Sequence, residues 1–168
     1  MCLRLLSAQF DELLIRPATL AEWEQRWGRH TFDRYASAAN AIVPRFSCVL
    51  PDPQAVCVGA LSSDWHGANS FAFPPPAEMP SVVQYLAENP DVSATVVAPY
   101  WPAQPWFQQL VEHADHVEVA PLSQWAQAPP WLHGSARHAL AGATLCCARV
   151  LGRPPGVTQR GRLRAADR

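Results

Sequence analysis

Lysine is absent from this 168-residue chain, and all thirteen basic residues are arginine. Against fourteen acidic residues this leaves a net charge of −1, so there is no global basic field to hold nucleic acid by charge alone. The all-arginine usage reads as GC-rich coding, because arginine and lysine differ at specific sites and not in bulk solubility. Cysteine is sparse as well: Cys2, Cys48, Cys57, Cys146 and Cys147 make an odd number without a CxxC pair, which argues against a disulfide framework or a zinc site. The eight glycines form no phosphate-cradling loop, and no Ser-His-Asp or paired-carboxylate pattern suggests another enzyme. No apolar run approaches the ~18 residues of a membrane span. The opening MCLRLL is too short for a secretory core, so an intracellular protein without membrane contact is expected.

What is present is 49% hydrophobic residues and seventeen prolines. That composition describes one globular, loop-rich domain with many interrupted elements. Residues 1–17 read as a lead-in segment and 18–152 as the domain. The tail 153–168, with five arginines and Asp167, reads as disordered and suited to brushing phosphates.

The organising stretch is 69–107. Ser70 to Phe73 is an apolar run stopped by Pro74, Pro75 and Pro76, and Ser93 to Ala98 is β-branched and stopped by Pro99. Between them Val82, Val83, Leu86 and Ala87 recur at helical spacing. The pattern is a β-α-β unit, which needs a right-handed crossover and a parallel sheet covered on both faces. Ligands in such sheets sit beyond the carboxyl ends of the strands.

Upstream, Thr19 with Glu22 reads as a capping box for a helix from Leu20 to Trp27, ended by Gly28. A first strand over 31–35 leads into the small residues Ala36 to Ala39, where a close backbone approach to a ligand is expected around Asp33 and Ala36. The other reading of Asp33 is a turn cap, or a partner of Arg34 or Arg45. A second strand over 55–61 precedes Asp64, which reads as a cofactor contact or as a turn aspartate. Downstream, a helix over 104–114, a strand over 116–120 and a strand-like run over 140–151 follow, with Cys146 and Cys147 on opposite faces. His113 and His116 read as surface histidines, since no third metal ligand lies nearby.

Four pieces in order, FDRYASAAN (32–40), Asp64-Trp65, FAFPPP (71–76) and VAPYWPAQPWF (97–107), carry a resemblance. They resemble the region downstream of ribonuclease H in polyproteins of tyrosine-recombinase retrotransposons of the DIRS and Ngaro type. That region is similar in turn to phage-type DNA adenine-N6 methyltransferases. The resemblance implies an α/β, Rossmann-like, methyltransferase-type largely parallel sheet with helices on both faces. It also implies S-adenosylmethionine as cofactor with no metal, contacts from Asp33, Ala36, Asn40 and Asp64, and nucleic acid or other retroelement proteins as partners. The catalytic turn would fall on Phe73, Pro74, Pro75 and Pro76. Adenine-N6 transfer needs an Asp or Asn oxygen at the first position and an aromatic ring at the last, to grip a flipped base. Phe73 has no acceptor and Pro76 has no π face. The resemblance therefore implies an inactive methyltransferase-like domain kept as a scaffold or interaction module; the alternatives are a live enzyme with an unusual site and a truncated relic of an element.

Overall fold

The computed structural model describes Phe10 and residues 12–153. The arginine-rich segment beyond Arg153 lies outside the described residues. The 69–107 stretch folds as its pattern requires, with β5 (Asn69–Ala72), α2 (Met79–Glu88) and β6 (Ser93–Pro99), the two strands being parallel neighbours. The β2 strand (Phe32–Asp33) pairs in parallel on the far side of β5. After α3 (Pro105–His113) come β7 (His116–Pro121) and β9 (Thr144–Val150). The β9 strand lies between β6 and β7 and runs antiparallel to both, giving a five-stranded sheet in the order β2-β5-β6-β9-β7. That reversed strand is the departure from a parallel sheet.

The expected second strand is much shorter than 55–61. Only Cys57–Val58 (β4) is extended, in a parallel pair with β3 (Ser47–Cys48). Gly59, at φ 81°, turns the chain out of the extended region, and Val56 and Val58 remain half exposed, so among the described residues nothing covers a longer edge. The pair continues the main sheet through a parallel bridge from Asp33 to Phe46. Ser47 accepts from the Ala36 amide on one side, while Phe46 and Cys48 accept from Val56 and Gly59 on the other. In space the strands therefore follow β4-β3-β2-β5-β6-β9-β7.

Strand alternation divides the core into two layers. Ala72, Val96, Ala98, Cys146 and Ala148 face α2 and α3, burying Met79, Val82, Val83 and Leu110. Phe71, Phe73, Val97, Leu145 and Cys147 face the other way, onto α1 (Pro17–Trp27), α4 (Leu122–Trp125) and α5 (Gly134–Ala141). On that second face β1 (Leu14–Ile15) pairs antiparallel with β8 (Ala126–Gln127). Among the described residues no helix is long and apolar enough to cross a membrane.

Four further expectations are corrected. The first helix starts at Pro17, not Leu20: proline at the first helical position lacks only an amide that would be orphaned there, and Thr19 lies inside the helix with its hydroxyl directed at the Gln124 carbonyl (3.4 Å). The run over 140–151 is not one strand, because α5 holds residues through Ala141 and Gly142 separates it from β9. The lead-in is not apart from the domain, for Phe10 and Leu13 are buried in the core. Arg153, expected to be unpacked, donates its amide to the Pro90 carbonyl (2.8 Å) and pairs with Asp115.

Candidate functional site

From β2 the chain goes outward to β3 and β4, then returns to place β5 on the other side of β2. The strand order reverses there, and the carboxyl ends flanking such a reversal form a ready crevice. At this point β2 delivers Asp33, Tyr35 and Ala36, and β5 delivers Phe73 to Pro76. Asp33, Tyr35, Asn40, Phe71 and Phe73 line one small cleft of about 10 Å³, closed by Phe10, Leu13, Ile15 and Ile42. Residues read separately along the chain, Asp33, Asn40 and Phe73, thus meet.

Asp33 is buried and acts as a turn cap. One carboxylate oxygen accepts from the Tyr35 amide (3.3 Å), and the other from the Ile42 amide (3.1 Å). No basic side chain pairs with it among the described residues. Arg34 turns away, donating to Ser70 Oγ and Ser63 Oγ (3.0 Å each) and lying 3.9 Å from the Phe32 ring centroid. Burial pushes the Asp33 carboxyl up to about 7, against the pull of its two amide donors. Asn40 braces the adjoining turn by accepting from the Ser37 amide (2.7 Å) and hydroxyl (3.1 Å). Ala36 is buried against Phe46 and Cys48, and its amide donates to the Ser47 carbonyl (3.0 Å).

Tyr35, which sequence reasoning did not single out, borders the cleft, while its ring belongs to the core layer under α2 and α3. Its phenol oxygen is buried without a hydrogen-bond partner among the described residues, and burial raises its pKa. The available signal was its place two residues after Asp33 at the end of a strand.

At the expected catalytic turn, Phe73 is buried in the apolar layer with its ring centroid 6.3 Å from that of Phe10. Pro76 begins a 3₁₀ turn, Pro76–Glu78, that leads into α2. Asn69, the nearest amide upstream, is committed at the opposite end of its strand. Its Nδ2 donates to the carbonyls of Trp27, Gly28 and Arg29, and its Oδ1 accepts from Arg149 (2.7 Å).

Asp64 does not join the cleft. Beyond Gly59 a 3₁₀ turn, Ala60–Ser62, leads the chain away, and Asp64 caps His66, whose other ring nitrogen meets Asp91 (2.9 Å) just before β6 begins. That is the amino end of the sheet. The acid that follows β3 is Asp52, nineteen residues after Asp33 and close to the spacing at which dinucleotide sites place a ribose-binding acid. Asp52 accepts from the amides of Ala38 (3.4 Å) and Gln54 (2.8 Å). Beside it lies an open cleft of about 370 Å³ lined by Ala38, Ile42, Val43, Phe46 and Gln54.

A second constellation has the order of a hydrolase relay. Glu24 Oε1 meets His30 Nδ1 (3.1 Å), and His30 Nε2 meets Thr95 Oγ1 (2.8 Å). Both His30 and Thr95 are buried, and Arg149 already donates to the threonine oxygen (3.0 Å). Neither cleft touches it, so it ties α1 to the sheet instead of meeting a substrate. Among the described residues no group of three His, Cys, Asp or Glu is placed to hold a metal ion.

The inner cleft does not fit S-adenosylmethionine. Its volume is roughly that of one water molecule, and the oxygens of Asp33 are occupied by backbone amides. The outer cleft is large enough for a nucleoside, but Gln54 is the one polar side chain among its lining residues. No protein-family model matches the chain, and no curated protein sequence matches it.

Proposed function

We propose that this chain is a retrotransposon-derived, adenine methyltransferase-like domain that has lost methyl transfer and serves as a scaffold or interaction module for nucleic acid or other retroelement proteins. Support for the methyltransferase-type reading comes from an open sheet whose strand order reverses between β2 and β5, with helical layers on both faces and the proline turn at that reversal. The observation that carries the loss of activity is the setting of Phe73. It stands where the chemistry needs a hydrogen-bond acceptor for the adenine amine, and it is instead a buried benzyl group packed on Phe10.

Removing one well-placed polar partner costs on the order of 10²- to 10³-fold in rate, and Pro76 also removes the stacking ring. Purified protein incubated with labelled S-adenosylmethionine and single- or double-stranded DNA is therefore expected to leave adenine unlabelled. Label in adenine from the unaltered chain would refute the proposal. A Phe73→Asn, Pro76→Phe variant tests whether those two positions alone disable it.

A further inference from the structure

The sheet continues outward to β4, which has no strand beyond it among the described residues, so one edge of the fold ends in Cys57 and Val58. Natural sheets blunt such an edge with charge or proline, because its unpaired amides and carbonyls otherwise template pairing with another chain. The opposite edge is treated in that way: β7 carries His116, Glu118 and Pro121, and Glu118 pairs with Arg26 (2.9 Å). Around β4 the side chains are apolar instead. Val49, Leu50, Val56 and Val58 are between 48% and 76% exposed, and they are half of the large apolar side chains exposed among the described residues. Val58 is the register partner of Cys48, whose carbonyl accepts from the Gly59 amide (2.8 Å), which brings Val49 and Val58 to neighbouring positions of the β3-β4 pair. The lobe that carries them, residues 37–45 and 49–58, has two charged residues, Arg45 and Asp52. Asp52 is engaged with the amides of Ala38 and Gln54, and the Arg45 guanidinium lies 5.4 Å from the Phe32 ring centroid.

We propose that this lobe is a self-association surface: a second copy of the chain sets its β4 antiparallel to the first about a two-fold axis, and the four apolar side chains of each copy are covered by the other. Three features favour a copy of this chain over another occupant. A strand edge is self-complementary about a two-fold axis, since each copy offers the same donors and acceptors. One arginine and one aspartate cancel, so two copies meet without net repulsion, whereas a phosphate backbone finds no basic field there. In size, all nineteen residues of 37–45 and 49–58 are at least partly exposed, close to the roughly 20–30 residues a side of a standard interface. With an apolar centre on the order of a few hundred Å² and a β4 of only two residues, side chains supply most of the contact, and the dimer belongs to the weak class. The inference stands on the sheet edge alone and does not depend on the methyltransferase-type reading.

Sedimentation equilibrium of the full chain, over a series from about 1 µM to about 1 mM, is expected to show a mass rising from one chain to two. Val58→Lys puts like charges across the axis and is expected to weaken association by at least about tenfold. Val119→Lys, on the β7 edge, is expected to leave it unchanged. A mass of one chain throughout the series overturns the proposal and leaves the patch to a different occupant, and a mass climbing past two chains overturns the two-fold arrangement. Association that survives Val58→Lys, or that Val119→Lys weakens equally, places the contact elsewhere and overturns it as well. Should Val58→Lys lose its cooperative thermal transition, Leu50→Lys decides, because Leu50 lies outside the strands and is the most exposed of the four: weakened association supports the surface, and unchanged association overturns it.

Discussion

The carboxyl group of Asp33 and the imidazole of His30 are both buried, and they make stability depend on pH in opposite senses. Asp33 has a folded-state pKa raised from 3.8 to about 7, so the fold holds its proton more tightly than the unfolded chain does. Its contribution is fully present below the unfolded value and is lost as pH rises from about 4 through about 7, with a magnitude on the order of a few kcal/mol. Asp33→Asn should remove that slope, and urea unfolding of both proteins across the window would check it. His30 is lowered from 6.5, because burial outweighs the attraction of Glu24. Its neutral form is favoured in the fold, so its contribution is present above the unfolded value and is lost as pH falls through the lowered one. In His30→Gln the acid-side loss should vanish; if it persists unchanged, other groups carry it.

At the scale of elements, one carboxylate of the sheet gathers two side chains of α1. Glu118 on β7 accepts from Trp23 Nε1 (2.5 Å) and from both terminal nitrogens of Arg26 (3.0 and 2.9 Å). Burial would raise this carboxyl, but the hydrogen bonds from Arg26 and Trp23 prevail and hold it below its ordinary value. Glu118→Gln weakens a charge-assisted, partly buried contact and is expected to cost about 1–3 kcal/mol by urea unfolding. Glu22→Gln breaks an exposed pair at 3.7 Å and should cost less than about 0.5 kcal/mol. Equal effects would mean that the Glu118 contact holds the helix no better than an exposed ion pair does.

Elements were legible where local pattern and tertiary role agree. The β5-α2-β6 unit combines strand-forming runs, proline stops and a helical repeat, and its bounds were close to those read from sequence. The start of α1 was missed because a capping pattern at Thr19 competes with proline at the first helical position, and the two differ by three residues. For Asp64 two readings, cofactor contact and turn aspartate, stayed open because distance beyond a strand does not reveal which way the chain turns; Gly59 and the turn after it carry it to the amino end of the sheet, where it caps His66. The role of Phe10 had no sequence signal, since an apolar residue far along the chain from its partners shows no periodicity with them.

For the whole molecule, integrity depends on a strand that comes late in the chain. The β9 strand pairs with β6 along one side and β7 along the other, and among the described residues β7 has no other strand neighbour. A chain ended after Ala143 should therefore lose the cooperative thermal transition of the longer one, because both core layers lose their contributions from Leu145 to Val150. A sharp transition in the shortened chain would show that β2, β5 and β6 with their helices stand alone.

The same placement of β9 bears on how the protein is made. During synthesis β7 leaves the ribosome before the strand that must separate it from β6, so the nascent chain passes through a stage with two unpaired edges and a half-covered apolar face. Direct pairing of β6 with β7 is the natural error at that stage, and β9 must insert to prevent or undo it. Pulling-force measurements on arrested nascent chains should record folding only once Val150 has cleared the exit tunnel, and chaperone dependence should be greatest just before that length.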